Sequence, residues 1–480
     1  MKSSPHFAII TKKQLVTIMS ILLTSACIIC ISLISTLPEK TLDILLPTLA
    51  TVVIFFLFSM ILKWRTRSNL TGELGFLYIA IVVAYTILPA FTFLTVDLNL
   101  APGWEKLGRL APSSSKLGIH LWRHALFMFG VATGYLLVRG RRTSGPISIE
   151  DRDGKSGLTI VFTCGVIAFC ILAITLLSAP VSTYYENYAR FDHLSWFYLR
   201  FVYICLVLKA GGYFILITFL FRDYKKYKFL IIIITPTICL YEMIYSFGSR
   251  IEAFTILIGV VCLYHFLVKP ITLKKGLISF IAIAMLFSAV ELFRASGFSL
   301  TAAQNTVSER GAMPASELGA VYFTGFHLYE ERAQRSLPPR EWPMFFDDFL
   351  PLIPFIDHTR WNPQYWYARN YFPGAVVPPE TLGPIADSAI WGGEIDLLAR
   401  SLINGAFFAY LVRWFLRRKD KWWGMVIYAY CYATCILTLK YSVLYLLTPL
   451  LKILLPTLLV VELARRFIPL RRQSKLTNPS

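Results

Sequence analysis

Apolar runs of about 20 residues recur along this chain, and a helix of that length crosses the roughly 30 Å of hydrocarbon in a bilayer. They lie near residues 15–36, 43–62, 74–95, 117–138, 158–178, 197–221, 229–246, 251–268, 276–294, 398–416, 423–440 and 443–464. Lipid gives backbone amides no hydrogen-bond partner, so each run is driven into a helix. The expected fold is an all-α polytopic membrane protein of about 12 transmembrane helices. Composition agrees. The 480 residues are 56% hydrophobic and 16% charged, with a mean hydropathy of +0.59, which is more apolar surface than one soluble core can hide. A soluble enzyme is excluded. The short basic stretch Met1–Gln14 precedes a run that exceeds a signal-peptide core and lacks an A-x-A cleavage site, so this run should stay as the first span.

The formal charge of +19 would fit a nucleic-acid partner if Lys and Arg gathered on one folded face. Here they punctuate the apolar runs, and no nucleic-acid partner is expected. Their order instead sets an orientation, because cytoplasmic loops hold the excess of Lys and Arg. Lys12 and Lys13; Lys63, Arg65 and Arg67; Arg139, Arg141 and Arg142; and Arg222, Lys225, Lys226 and Lys228 alternate to one side. Lys269, Lys274 and Lys275, then Arg417, Arg418, Lys419 and Lys421, then Arg465, Arg466, Arg471 and Arg472 continue the alternation. An even number of spans with both termini cytoplasmic satisfies every cluster. The nine cysteines all fall inside apolar runs, so neither a disulfide nor a zinc site is expected, and Cys27-x-x-Cys30 reads as packing residues.

Two segments stand apart on the outer side. One is about 179–196, with interleaved aromatic and charged residues and Arg190. The other is about 295–395, holding eleven prolines and too long for a passive connection. The single membrane domain, 1–480, thus presents two outer loops. Arginines are the exception to the charge rule on that side: Arg109, Arg190, Arg200, Arg250, Arg294, Arg310, Arg332, Arg335, Arg340, Arg360 and Arg369. A planar guanidinium grips phosphate in bidentate fashion, so Arg190, Arg250, Arg294 and Arg360 are candidates for holding a pyrophosphate. Snorkelling to outer-leaflet phosphates, or pairing with Glu252 and Glu291, is the competing use. Deeper ionisable groups, Arg123, Lys209, Glu242 and Lys452, should face the bundle interior, since each left facing lipid would cost about 2.5–3.5 kcal/mol.

Three local motifs accompany this layout: Phe247-Gly248-Ser249-Arg250 opening a span, Arg360-Trp361-Asn362-Pro363 in the large loop, and Pro379-Glu380-Thr381-Leu382-Gly383-Pro384-Ile385-Ala386-Asp387 followed by Gly392-Gly393. With them, the chain resembles the bacterial O-antigen and oligosaccharide repeat-unit polymerases, the enterobacterial common antigen polymerase pattern among them. The likeness covers roughly 180–420 and the overall span count. It departs at Glu394, Asp396 and Arg400, where the family usually continues apolar.

The resemblance implies a glycosyltransferase-C-like protein of the bacterial inner membrane. Such a protein joins polyprenyl-pyrophosphate-linked oligosaccharide units at the periplasmic face by inverting transfer, without metal or cofactor. Arginines would stabilise the charge on the departing lipid pyrophosphate. The acceptor hydroxyl would need a base, for which His327 is the first candidate, with Glu317, His193 and Glu186 behind it. Tyr184, Tyr185, Trp361, Tyr365, Trp366 and Tyr367 suit stacking on sugars, and equally an interfacial aromatic belt. His120, His124 and His265 read as structural. The lipid bilayer and a chain-length regulator protein are the further partners in view. The nearest rival is an O-antigen ligase, which shares the donor. Another class is a lipid-linked oligosaccharide flippase or other secondary transporter, for which evenly short loops or duplicated halves would be expected.

Overall fold

The computed structural model describes residues 39–66, 70–95, 113–140, 196–245, 251–276, 278–279, 317–341, 344, 346, 361–372, 382–441 and 445–467. Among them there are helices and no strand. We label the helices α1 (Glu39–Thr66), α2 (Leu74–Thr95), α3 (Ser114–Arg139), α4 (Trp196–Arg222), α5 (Tyr224–Tyr245) and α6 (Ile251–Leu267). They continue with α7 (Glu317–Ala333), α8 (Pro363–Tyr371), α9 (Pro384–Ile390), α10 (Glu394–Arg417), α11 (Trp422–Thr434) and α12 (Leu455–Phe467). Nine of the apolar runs coincide with helix, while those near 15–36 and 158–178 and most of 276–294 lie outside the described residues. Four stretches, Thr41–Thr66, Ser114–Arg139, Glu394–Arg417 and Trp422–Leu439, are long and apolar enough to cross a bilayer. The architecture is that of a helical membrane protein.

Local chemistry sets the boundaries. Ser113 caps α3 by accepting from Lys116 N, and α8 starts at Pro363 behind Asn362, whose side chain accepts from Gln364 N at 2.8 Å. Glu394 and Asp396, which stood out as a departure from apolar pattern, occupy the first turn of α10, where acidic groups oppose the helix dipole. They extend that helix four residues ahead of the apolar run. α7 ends in a Schellman pair, Ser336 N to Glu331 O at 2.9 Å and Arg335 N to Arg332 O at 3.1 Å. Its left-handed residue is Arg335, at φ 57°, where glycine is usual.

The centre of the bundle is the seam between α3 and α10. A Cβ added at Gly134 would fall on the Leu402 carbonyl oxygen, one at Gly405 on the Val131 carbonyl oxygen, and one at Gly130 on the Ser401 hydroxyl. The seam is therefore Gly130-x3-Gly134 against Ser401-x3-Gly405, the small-residue spacing that lets helices meet backbone to backbone in lipid. Both helices run the same way: Arg123 meets Glu394 at one end, and Arg413 donates to Val138 O at the other. α1 is parallel to α3, with Asp43 beside Ser114 and Gly118 and with Arg65 on Leu136 O. α2 runs against them.

One end of the bundle collects basic groups. Arg139 makes a two-pronged pair with Glu73, at 2.7 and 2.8 Å, and Tyr135 donates to the same carboxylate at 2.6 Å. Tyr428 and Tyr432 donate to Gly72 O and Thr71 O nearby. Ile271 N donates to His265 Nδ1 at 3.1 Å, and Thr71 Oγ1 donates to Ile271 O, which fixes His265 as a structural link. Ring contacts of Tyr264 with Tyr224 and of Trp422 with Phe219 bring Arg222, Lys225 and Lys226 to that end as well. Of the deep ionisable groups, Lys209 and Glu242 form a buried pair at 2.8 Å between α4 and α5. Lys452 is a correction: it is exposed. It sits in a π-wound turn, Leu450–Leu454, between Pro449 and Pro456, and this widened turn directs the residue away from the bundle. α4 runs on through Ala210-Gly211-Gly212, where Gly211 admits Thr457 of α12 at close range.

Candidate functional site

At the other end, α7, α8, α9 and the N-terminal turn of α10 gather over the start of α3. The proline-rich segment from 295 to 395 thus contributes three helices among the described residues, and Pro363 and Pro384 open two of them at the first position rather than interrupt them. α7 is tied to α8 through His327. The ring is buried, its Nδ1 lies 2.8 Å from the Tyr367 hydroxyl, its Nε2 lies 3.5 Å from Glu331 one turn on, and the Tyr371 ring stands edge-on at 4.7 Å. Trp366 donates to Pro339 O and Trp361 to Glu341, both at 2.9 Å, which anchors α8 on the strip after α7.

Beside this joint lies a cluster of guanidinium groups from separate segments. Arg123 of α3 donates to Glu394 at 2.9 Å and lies over the Tyr329 ring at 3.8 Å. Arg332 of α7 donates from Nη1 to Ala389 O (3.0 Å) and Trp391 O (3.1 Å), the carbonyls left open where α9 ends. The Nε side of Arg332 faces Gly393, where an added Cβ would come within 3.1 Å. Gly393 has φ 68°, so both its backbone and the nearby charge favour the missing side chain. Arg340 covers Trp391 at 5.6 Å.

Burial, and next the charge of Arg332, hold the Arg340 guanidinium below its ordinary value, yet an arginine remains charged in any working range. Burial pushes the Tyr329 phenol up to about 12, opposed by its bond to the Ser388 hydroxyl at 3.0 Å, so a neutral ring lies under Arg123. Arg123 thus pairs with Glu394, Arg332 acts on the same carboxylate through space, and Arg340 lies beside Arg332 over Trp391. A neighbouring group, Arg400 between Asp387 (3.5 Å) and Asp396 (2.7 Å), carries one net negative charge, and Glu331 and Glu341 adjoin Arg332 and Arg340 in sequence. Lys116 and Glu330 pair at the rim.

The structure brings together only part of the expected site. Trp361, half-buried, and Tyr365, exposed, share the α8 end of this region with His327. Glu317 is the first residue of α7, about 15 Å along the axis from His327 at 1.5 Å per residue, so these two are not brought together. Arg190, Arg250, Arg294 and Arg360 lie outside the described residues, as does His193. Arg332 and Arg340 stood among the outer arginines without being singled out, and Arg123 stood among the deep charges. Their sequence positions carry no sign that three segments converge.

Beneath the cluster, His120 and His124 of α3 pack with Tyr322 and Phe326 of α7. Among the described residues no group of three or more His, Cys, Asp and Glu side chains is arranged to hold a metal ion. Comparison with protein-family models, with curated proteins and with solved structures returns no match.

Proposed function

We propose that the chain polymerises oligosaccharide repeat units carried on polyprenyl pyrophosphate, at the membrane face opposite its basic end, by an inverting and metal-independent transfer. The observation that carries this reading is the convergence of Arg123, Arg332 and Arg340 about Tyr329, Trp391 and Glu394. In the reaction an acceptor sugar hydroxyl attacks the anomeric carbon of the donor. The new C–O bond forms as the bond to pyrophosphate breaks, and the lipid pyrophosphate leaves with the electron pair. Fixed guanidinium groups stabilise that growing charge without reorganising, which is usually the largest catalytic contribution.

The acceptor proton goes to a base. His327 joins Glu331 and Tyr367, so its share in proton removal would be exerted through one of these two groups while the α7–α8 joint stays closed. Trp361, just ahead of α8, and Tyr365, exposed on α8, suit the faces of sugar rings. Twelve spans, cytoplasmic termini, an inner-membrane location and pyrophosphate contacts from Arg190, Arg250, Arg294 and Arg360 belong to the same proposal.

The test is reconstitution of the purified protein with lipid-linked repeat units, followed by glycan length and released polyprenyl pyrophosphate. Arg123→Ala and Arg340→Ala should each lower turnover by about 10²-fold, the usual cost of one donor to a developing anion. A full glycan ladder from both variants at equal protein level would overturn the assignment of the site. Transbilayer movement of the lipid with no glycosidic bond formed would overturn the assignment of the activity.

A further inference from the structure

A second cationic site sits at the basic end of α10. Tyr410, Arg413, Trp414, Arg417 and Arg418 line a cleft of about 260 Å³. Its three guanidinium groups are held by different means. Arg413 donates to Val138 O, at the C-terminal end of α3, at 3.0 Å. Arg418 lies over the Trp414 ring at 5.2 Å, and Trp414 packs on Trp423 of α11 at 5.7 Å. Arg417 is exposed at the mouth. No carboxylate lines the cleft, and Asp420 just beyond it lies 3.8 Å from the Lys421 ammonium.

Depth and shape complete the picture. The cleft closes an apolar helix long enough to cross a bilayer, which puts it at headgroup level. At 100° per residue, Ile403, Tyr410, Trp414 and Arg417 fall on one stripe of α10. Ile403 and Tyr410 are exposed along it, an apolar track leading up to the cations. The volume is just under the usual ligand range of about 300–1,000 Å³, room for a headgroup with the chains left outside.

We propose that this cleft binds the phosphodiester headgroup of an anionic phospholipid, with its acyl chains along Ile403 and Tyr410. The arginine forks take the phosphate oxygens and the Trp414 and Tyr410 rings flank the glycerol region. The site lies the length of α10, about 35 Å, from Glu394, so it stands or falls apart from the glycan reaction.

The full chain would be reconstituted in phosphatidylcholine vesicles doped with phosphatidylglycerol, and the immobilised fraction of spin-labelled phosphatidylglycerol compared with that of spin-labelled phosphatidylcholine. Wild-type protein should retain the anionic lipid preferentially, and Arg417→Gln and Arg418→Gln should each reduce that preference about fivefold. Arg417→Lys/Arg418→Lys, which keeps the charge and loses the fork, should fall between and guards against simple misfolding. Lys225→Gln/Lys226→Gln removes two charges at the same end and should change little. Glutamine variants that match wild type would overturn the proposal, as would an equal loss in the lysine pair, which would mean diffuse attraction. Displacement by inorganic phosphate as effective as by unlabelled phosphatidylglycerol would show a soluble-anion site and would overturn it too.

Discussion

A methyl group at Gly134 should force α3 away from α10, because the new Cβ would stand only 2.1 Å from the Leu402 carbonyl oxygen and neither backbone can turn aside. Two effects oppose each other. Alanine is favoured over glycine in a helix interior by about 1 kcal/mol. Against this, overpacking of a well-filled contact costs about 1–3 kcal/mol. A retreat of 0.5–1 Å also forfeits a quarter to a half of each dispersion contact, and for on the order of 20 atom pairs at 0.1–0.2 kcal/mol this adds about 1 kcal/mol. The balance is a net loss of roughly 1–3 kcal/mol for Gly134→Ala, and more for Gly134→Leu.

Gly405→Ala, whose Cβ would meet Val131 O across the same seam, should lose a similar amount. The double variant should lose less than the sum, since a seam already parted accepts the second methyl cheaply. Thermal unfolding in detergent or lipid discs reads all three. A Gly134→Ala midpoint equal to or above wild type, or strict additivity of the pair, would refute close backbone contact at this seam.

Two further predictions concern the folded frame. Glu73→Ala leaves Arg139 buried beside an empty acceptor and should cost about 3–5 kcal/mol, whereas Glu73→Ala/Arg139→Leu should recover much of it; unfolding midpoints of the two variants decide. Arg335→Gly removes a left-handed non-glycine residue from the exposed end of α7 and should stabilise by up to about 1 kcal/mol; a lower midpoint would mean the side chain contributes more than its backbone costs.

Much of the frame was legible in the sequence. Hydropathy located helices, because a backbone in lipid has no alternative to internal hydrogen bonds and an apolar run therefore translates into helix without tertiary help. Charge order foretold that Arg65, Arg139, Arg222 and Arg417 share an end. That Lys209 and Glu242 face the interior followed from the cost of leaving either facing lipid, while their pairing with each other came only from the structure; Lys452 differs because a π-wound turn changed its heading. Gly130-x3-Gly134 and Ser401-x3-Gly405 were visible as spacings, but nothing in one chain says which two small-residue faces will meet.

The sequence by itself determined the solvent of this protein, the helices that solvent demands and the end to which its cations go, all consequences of residue type and order alone. Only the tertiary structure decided that Arg123, Arg332 and Arg340, the first and last of them more than two hundred residues apart, would converge about Tyr329, Trp391 and Glu394, and that His327 would be closed between Tyr367 and Glu331. The physical reason is that a shared site depends on helix rotation and register. These were set here by glycine contacts and helix ends, which act at ångström range and leave no periodic trace in the sequence.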